Sequence, residues 1–382
     1  MHTLIKKLIL PILFLMSGCT AINSVSFHNM STSYRDLVEQ HNNDNILVNI
    51  VRSSKTLPMS FMDISSVYGN GSVSPSASLG AQFYSVNPQS VGGLLIGQPG
   101  SYSTANLGVN VSNGFTFTQN SLDNMQFMRA FLNPVGKEFL EFRGTTEFIP
   151  KELYLTLLLG GIELRSEDDS KFIKLINNPL DPNFTHFQGF LEMLIDAQLQ
   201  LEEVPVRGAG GYREPRLCIN RYAAKEIFGD LVSSTEYCAR SSMMAVKKKD
   251  YQKELSFLSS IRGGPLSFAF QVRSLGNIFD YLGLVLRAQS SENNPFVVTI
   301  EQSAQRKLLS PSSANRVPLF VVQKNKWVSN PISSIDYRKD TYEIEDEDVT
   351  FTKQTMEFLS ILLTLSKAPG MSQGPSPTLP VR

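Results

Sequence analysis

The chain has 382 residues, and its 35 Lys+Arg and 35 Asp+Glu give no basic excess of the kind that binds nucleic acid. Its three cysteines and four histidines lack the spacing of metal ligands. We therefore expect no nucleic-acid partner, no metal and no cofactor.

The segment 1–18 has the pattern of a signal peptide. An uncharged apolar run from Leu8 to Met16 follows two lysines, and the small residues Ser17 and Gly18 lead to Cys19. The run is about half of the roughly 20 residues that a membrane-spanning helix requires. The pattern predicts cleavage before Cys19 and lipid on that cysteine. The alternatives are an ordinary signal peptide with a chance cysteine, or a short buried helix.

A lipidated Cys19 predicts where the mature chain resides. Several acyl chains make such an attachment effectively permanent. Thr20 follows the cysteine, and the absence of Asp there favours the outer membrane, with the body facing the periplasm. Residues 19–33 are rich in Ser and Asn and read as a lipidated tether. Cleavage also leaves 33 Lys+Arg against 35 Asp+Glu, a net charge of −2.

Cys218 and Cys238 are the two cysteines besides the anchor. An even pair in an oxidising periplasm predicts a disulfide, which closes a loop of about twenty residues. The alternative is a pair of unbonded buried thiols.

The region 34–125 is predicted to hold a helix and a β-hairpin. Ser33 can cap a helix whose apolar face runs to Val51, interrupted by the polar stretch 42–45. Apolar and polar residues then alternate over 72–83 and 107–118, which predicts a long amphipathic hairpin with its connection at 84–106. Strands of this length can cross an outer membrane. The alternative is an ordinary hairpin packed on the helices.

The region 126–255 is predicted to be α-rich, with a loop closed by the disulfide. Helical patterns run from Pro150 to Leu159 and from Phe184 to Leu199, the second beginning at Asp181 or Asn183.

The region 256–366 is predicted to be a mixed strand and helix module. Alternation from Leu266 to Val272 indicates a strand, and Ser274 can cap the helix that follows. Short strands are expected at 296–300, 318–323 and 327–328, with a turn at 324–326, and a final helix at 352–366. The Pro-rich tail 367–382 is expected to be disordered. The whole pattern predicts an α+β fold.

Nucleophile and nucleotide-binding signatures such as G-x-S-x-G and G-x-x-x-x-G-K-[ST] are absent from the sequence. Clustered carboxylates can act as acid and base in glycoside hydrolysis. Such carboxylates occur as Glu163, Glu167, Asp168 and Asp169, and as Glu343, Glu345, Asp346, Glu347 and Asp348. The alternative for both clusters is a solvated polar face.

Several stretches together resemble a family of uncharacterised proteobacterial outer-membrane lipoproteins. The stretches are 45–52 with Pro58, 115–134 with Phe127, Arg129 and Pro134, 270–283, and 352–363. The resemblance implies that the protein is a lipoprotein of the outer membrane with an α+β body. It implies no activity, cofactor or catalytic residue.

These observations predict a non-enzymatic lipoprotein, attached to outer-membrane lipid through Cys19, with a structural or assembly role in a cell-envelope complex such as a secretion or surface apparatus. Its expected partners are other envelope proteins or further copies of itself. The alternatives are an oligomeric pore built from donated hairpins, and a periplasmic glycan hydrolase that uses paired carboxylates.

Overall fold

The structure is a computed structural model that describes residues 18–80, 104–122, 124–135, 149–168, 172–205, 213–243, 246, 249–261, 264–292, 295–302 and 314–367. The signal-peptide segment before Gly18, the predicted hairpin connection and the Pro-rich tail beyond Lys367 lie outside these residues.

The described residues form the predicted mixed α+β fold, with eight α-helices and several small antiparallel sheets. The helices are α1 (Gly18–Ser54), α2 (Met125–Leu132), α3 (Lys151–Leu158), α4 (Phe184–Asp196), α5 (Arg221–Phe228), α6 (Gln252–Ser259), α7 (Leu275–Gln289) and α8 (Thr352–Ser366). The strands are β1 (Met62–Gly80), β2 (Thr104–Ser121), β3 (Leu159–Ser166), β4 (Phe172–Ile176), β5 (Gln200–Pro205), β6 (Arg213–Cys218), β7 (Leu266–Val272), β8 (Thr299–Glu301), β9 (Arg316–Pro318), β10 (Gln323–Lys324), β11 (Pro331–Tyr337) and β12 (Asp340–Glu345).

The chain divides into two compact units. The first includes Asp63–Asn120, and β1 and β2 pair with each other there in a two-stranded sheet. These strands have 19 and 18 residues. Both extend beyond the alternating stretches 72–83 and 107–118, because Ile64, Val67 and Tyr68 also favour strands. The second unit, called the body below, includes Ser33–Met62 and Ser121–Ser372.

The helix α1 begins earlier than predicted. The segment 19–33 has helical backbone where an irregular tether was expected, and Ser33 lies inside the helix. No Gly or Pro occurs between Cys19 and Ser54. Adding a residue to an existing helix costs far less than nucleating one, so the helix continues through these polar residues. No helix within the described ranges is long and apolar enough to cross a bilayer.

The polar stretch 42–45 does not interrupt α1, because its side chains bind other parts of the body. Asp44 Oδ1 accepts a hydrogen bond from Ser333 Oγ at 2.7 Å. Asn45 Nδ2 donates to the Met62 carbonyl at 2.7 Å. One turn later, the fully buried Asn49 donates to the Ser60 carbonyl and accepts from the Ser60 N–H. These contacts fix the chain as it leaves the helix.

The region 126–255 contains helices, as predicted, and in addition four strands. The central sheet of the body has the order β4-β3-β7, with both pairs antiparallel. Leu164 of β3 lies opposite Phe268 of β7, which is about a hundred positions away in the sequence. Such non-local pairing gives no local signal in the sequence. The predicted boundary between 126–255 and 256–366 therefore runs through one sheet.

The strand and helix predicted after Leu266 are confirmed as β7 and α7. Ser274 is the N-cap of α7, and its Oγ accepts a hydrogen bond from the Asn277 N–H at 3.1 Å. A Cβ on Gly283 would lie 2.8 Å from the backbone nitrogen of Ser54, so this glycine allows α7 to approach the end of α1 closely. The rings of Phe61, Phe127, Phe131 and Phe279 pack together beside this contact.

The last part of the body is a sheet of order β10-β12-β11, followed by α8. The helix α8 has the predicted bounds. The strands predicted at 318–323 and 327–328 are wrong, because only the end residues of the first lie in strands, in β9 and β10, and the second lies in the loop before β11. Glu343, predicted to belong to an acidic run that leads into α8, lies inside β12 and pairs with β10. The strand predicted at 296–300 is the shorter β8, which pairs with β9.

Candidate functional site

The predicted lipidation residue, Cys19, lies in the first turn of α1. The cleavage segment before it is outside the described residues, so lipidation stays a prediction.

The two other cysteines are joined by a disulfide between Cys218, at the end of β6, and Cys238. Their Cα atoms are 5.0 Å apart, and each residue is 1% exposed. The carboxylate of Glu202 lies beside them and accepts hydrogen bonds from the Ala239 N–H at 3.0 Å. A thiolate binds metals, whereas a disulfide sulfur carries neither proton nor charge. With the disulfide formed, this group is therefore not a metal site.

The described carboxylates of the first predicted cluster each bind a different neighbouring side chain. Glu163 on β3 accepts a hydrogen bond from Gln271 Nε2 at 3.1 Å, and Glu167 accepts one from Ser233 Oγ at 2.8 Å. Asp168 accepts one from the neighbouring Ser166 hydroxyl. Asp169 lies outside the described residues.

Three carboxylates of the second predicted cluster also bind neighbouring groups. Glu343 accepts hydrogen bonds from the Val328 N–H at 2.9 Å and from Ser334 Oγ at 3.0 Å. Lys353 Nζ lies 2.8 Å from Asp346 and 2.5 Å from Asp348. The ion pairs of Lys353 join the segment after β12 to the start of α8.

Besides the two predicted clusters, the fold of the body brings together a third group of charged side chains, which the sequence patterns did not predict. Glu192 and Asp196 lie four residues apart, on one face of α4. The end of β8 supplies Glu301, and the segment before α6 supplies Lys249 and Tyr251. The spacing of the two α4 acids is visible in the sequence, but nothing there connects them to positions 249 and 301.

Lys249 is the centre of this cluster. Its Nζ lies 2.6 Å from an Asp196 carboxylate oxygen and 2.5 Å from a Glu301 carboxylate oxygen. The hydroxyl of Tyr251 donates to Asp196 as well. Arg316, on β9, pairs with Glu192. The cluster therefore joins α4, the segment 249–251 and the β8–β9 pair.

The ionisable groups of the cluster favour a charged, hydrogen-bonding Lys249. Burial alone would lower the pKa of Lys249, but the carboxylates of Asp196 and Glu301 outweigh it and hold this pKa above its usual value. Burial, together with the Asp196 carboxylate, raises the pKa of the Tyr251 hydroxyl. Burial also raises the pKa of Glu192, against the opposing effect of Arg316. Lys249 thus stays an ammonium group without a free electron pair.

A small cavity adjoins the cluster, with a volume of about 30 Å³. Its apolar wall comes from α4 and β8, through Phe187, Leu191, Ile195 and Ile300. A space of this kind can hold a water molecule once it exceeds roughly 10–15 Å³. The cavity therefore has room for water. The arrangement supports a structural role for these charges.

Replacing Lys249 with methionine is expected to lower the free energy of unfolding by about 2 kcal/mol, between the effects typical of exposed and of buried ion pairs. The lysine side chain is 24% exposed, so solvent screens part of the loss of attraction to Asp196 and Glu301. Urea denaturation followed by circular dichroism measures the change. The matched control is Lys253→Met at an exposed position of α6, where we expect less than about 0.5 kcal/mol. If Lys249→Met lowered the free energy of unfolding as little as Lys253→Met does, the cluster would contribute no stability.

Comparison of the chain with known protein families, with curated proteins and with solved structures gives no match.

Proposed function

We propose that the protein is an outer-membrane lipoprotein, attached through lipid on Cys19, whose body acts in the periplasm as a structural or assembly part of a cell-envelope complex. The signal-peptide pattern before Cys19 supports the address, and the pair Cys218 and Cys238 suits an oxidising compartment. A secretion or surface apparatus is the kind of complex that needs such a part. Its partners are other envelope proteins or further copies of the same chain.

The observation that most supports the assembly role is the pair of long strands. Each strand of the pair β1 and β2 has about three times the usual strand length of five to six residues. A two-stranded sheet is only marginally stable in water, and its open edges present unpaired N–H and C=O groups. Among the described strands, β1 and β2 pair only with each other. Strands from another chain can complete this sheet.

A pore is the second candidate, and the length of the strands favours it. A transmembrane strand needs about 9–11 residues, so 19 and 18 residues are enough to cross a bilayer and continue beyond it. The alternation of apolar and polar residues over 72–83 and 107–118 suits a wall with lipid on one side and water on the other. A bilayer accepts only closed barrels of strands, so a pore requires a ring of several copies.

The proposal includes no enzymatic activity. A glycan hydrolase needs a pair of carboxylates on either side of a substrate cleft. Glu163 and Glu167 instead bind neighbouring side chains, and Asp346 and Asp348 share Lys353.

The test is extraction of the protein in mild detergent, followed by cross-linking and mass spectrometry. We expect stable neighbours or a ring of copies for the unaltered chain, and their loss when 72–118 is deleted. Deleting 368–382 is the matched control, because it removes chain but no residue of either strand. Thermal unfolding of the body reports that the deletion variant is folded.

Conductance across planar bilayers separates the two candidates. A pore gives conductance that disappears with the deletion of 72–118, whereas a purely structural assembly gives cross-links without conductance. A monomeric protein without neighbours would contradict both.

A further inference from the structure

The single tryptophan of the chain lies at one end of the sheet β10-β12-β11 and is 85% exposed. Its position is fixed by its neighbour, because Val328 is 7% exposed and its N–H donates to a Glu343 carboxylate oxygen at 2.9 Å. Trp327 therefore points outward from an anchored backbone. Trp is enriched among the residues that contribute most of the binding energy at protein contact surfaces.

Two tight turns meet at this end of the sheet. Asn325 and Arg338 both have positive φ values, of 53° and 61°. The Asn325 side chain binds the turn between β11 and β12, donating to Asp340 Oδ1 and accepting from the Thr341 N–H, each at 2.9 Å. We call the combined surface of 324–327 and 337–340 the basic tip.

The basic tip carries four cations and one carboxylate. The cations are Lys324, Lys326, Arg338 and Lys339, and the carboxylate is Asp340. Lys324 Nζ lies 3.1 Å from Asp340, and Lys55 of the loop after α1 lies 3.6 Å from it. Lys326, Arg338 and Lys339 are exposed, and none of them forms an ion pair with a carboxylate of the described residues. The tip thus presents a net positive charge in a chain that is balanced overall.

The geometry of the basic tip restricts the kind of partner. Small ligands are bound in concave pockets that enclose most of their surface, but a side chain that is 85% exposed has no enclosing walls. A protruding Trp among cations suits an extended surface. The indole ring is well suited to the boundary between water and lipid, and Lys and Arg are attracted to anionic headgroups.

We propose that the basic tip docks the body onto an anionic phospholipid surface, with Trp327 among the headgroups and Lys326, Arg338 and Lys339 against the phosphates. This contact is additional to the lipid on Cys19 and does not depend on it. It gives the body a defined orientation at a membrane.

The test uses residues 19–382 with Cys19→Ser, so that binding cannot come from the anchor. The protein is mixed with vesicles of phosphatidylcholine alone, or of phosphatidylcholine with phosphatidylglycerol, and bound protein is measured by sedimentation. Because the chain has one tryptophan, its emission reports Trp327 directly. We expect binding and a blue shift of the emission with the anionic vesicles, and little of either with the neutral ones.

Two matched triple variants sharpen the test. The variant Lys326→Gln, Arg338→Gln, Lys339→Gln removes three charges from the tip, and at roughly fivefold per charge it is expected to lower partition into anionic vesicles about 100-fold. The control Arg221→Gln, Lys225→Gln, Lys253→Gln makes the same change of charge at exposed positions elsewhere on the body and is expected to bind as before. Trp327→Ala is expected to weaken binding without altering circular dichroism.

Three outcomes would overturn the proposal. The two triple variants could bind equally, the bound protein could show no shift in Trp327 emission, or the protein could bind purified peptidoglycan and not the anionic vesicles. The lipid anchor is tested separately at Cys19, so its failure and failure of the tip are distinguishable.

Discussion

Replacing Arg273 with methionine is expected to lower the free energy of unfolding by about 3 kcal/mol. Arg273 follows β7, is 7% exposed, and pairs with no carboxylate among the described residues. Its guanidinium donates to the carbonyls of Thr156 and Leu157 at 3.1 and 3.0 Å, and to that of Asn177 at 2.5 Å. Burial lowers the pKa of Arg273 to about 10, so it stays charged at neutral pH.

Two effects oppose each other in this substitution. A methionine of similar volume removes the cost of burying a charge, which by itself can be neutral or stabilising. However, the carbonyls of Thr156 and Leu157 belong to the last turn of α3, where carbonyls have no partner within the helix. Losing three charge-assisted hydrogen bonds, each contributing roughly 1.5–3 kcal/mol, outweighs the gain. Urea denaturation measures the difference.

Tyr281→Phe is the matched control for Arg273. The guanidinium carbon lies 4.0 Å from the centre of the Tyr281 ring, and the ring is retained in the variant. The Tyr281 hydroxyl is buried and has no hydrogen-bond partner among the described residues. Removing it is expected to leave stability unchanged or to raise it by about 1 kcal/mol. A methionine variant of Arg273 as stable as the unaltered protein would contradict this account of the body.

Removing the disulfide is expected to have an effect of similar size. In the chain-entropy model, closing the loop from Cys218 to Cys238, with a sequence separation of 20, stabilises the folded state by about 3 kcal/mol. The double variant Cys218→Ala, Cys238→Ala is therefore expected to unfold at lower urea concentration. Its unfolding will be independent of reducing agent, whereas that of the unaltered protein will shift. The same midpoint for the unaltered protein with and without reductant would contradict a bonded pair.

The sequence correctly predicted the helices whose own residues carry the helical pattern. The helix α8 carries a helical apolar repeat over its whole length, and α7 combines such a repeat with a capping Ser274. Both were located correctly. By contrast, the polar residues 42–45 predict an interruption that the structure does not show, because the partner of Asp44, Ser333, is 289 positions away. A sequence pattern does not show which distant backbone groups satisfy a polar side chain.

The charged cluster around Lys249 was missed for a related reason. Its members come from α4, from the loop before α6 and from β8, which become neighbours only in the folded chain. The carboxylates that the sequence did suggest, such as Glu163 and Asp346, are clustered along the chain, and the fold gives each its own partner. Closeness in sequence was therefore a poor guide to closeness in space here.

The central claim is that lipid on Cys19 attaches the protein to the outer membrane. The most direct measurement is metabolic labelling of cells with palmitate, followed by fractionation of the membranes. We expect the unaltered protein to be labelled and found with the outer membrane, whereas Cys19→Ala is expected to be unlabelled and recovered without stable membrane attachment. A Cys19→Ala protein that stays firmly in the outer membrane without label would contradict the account.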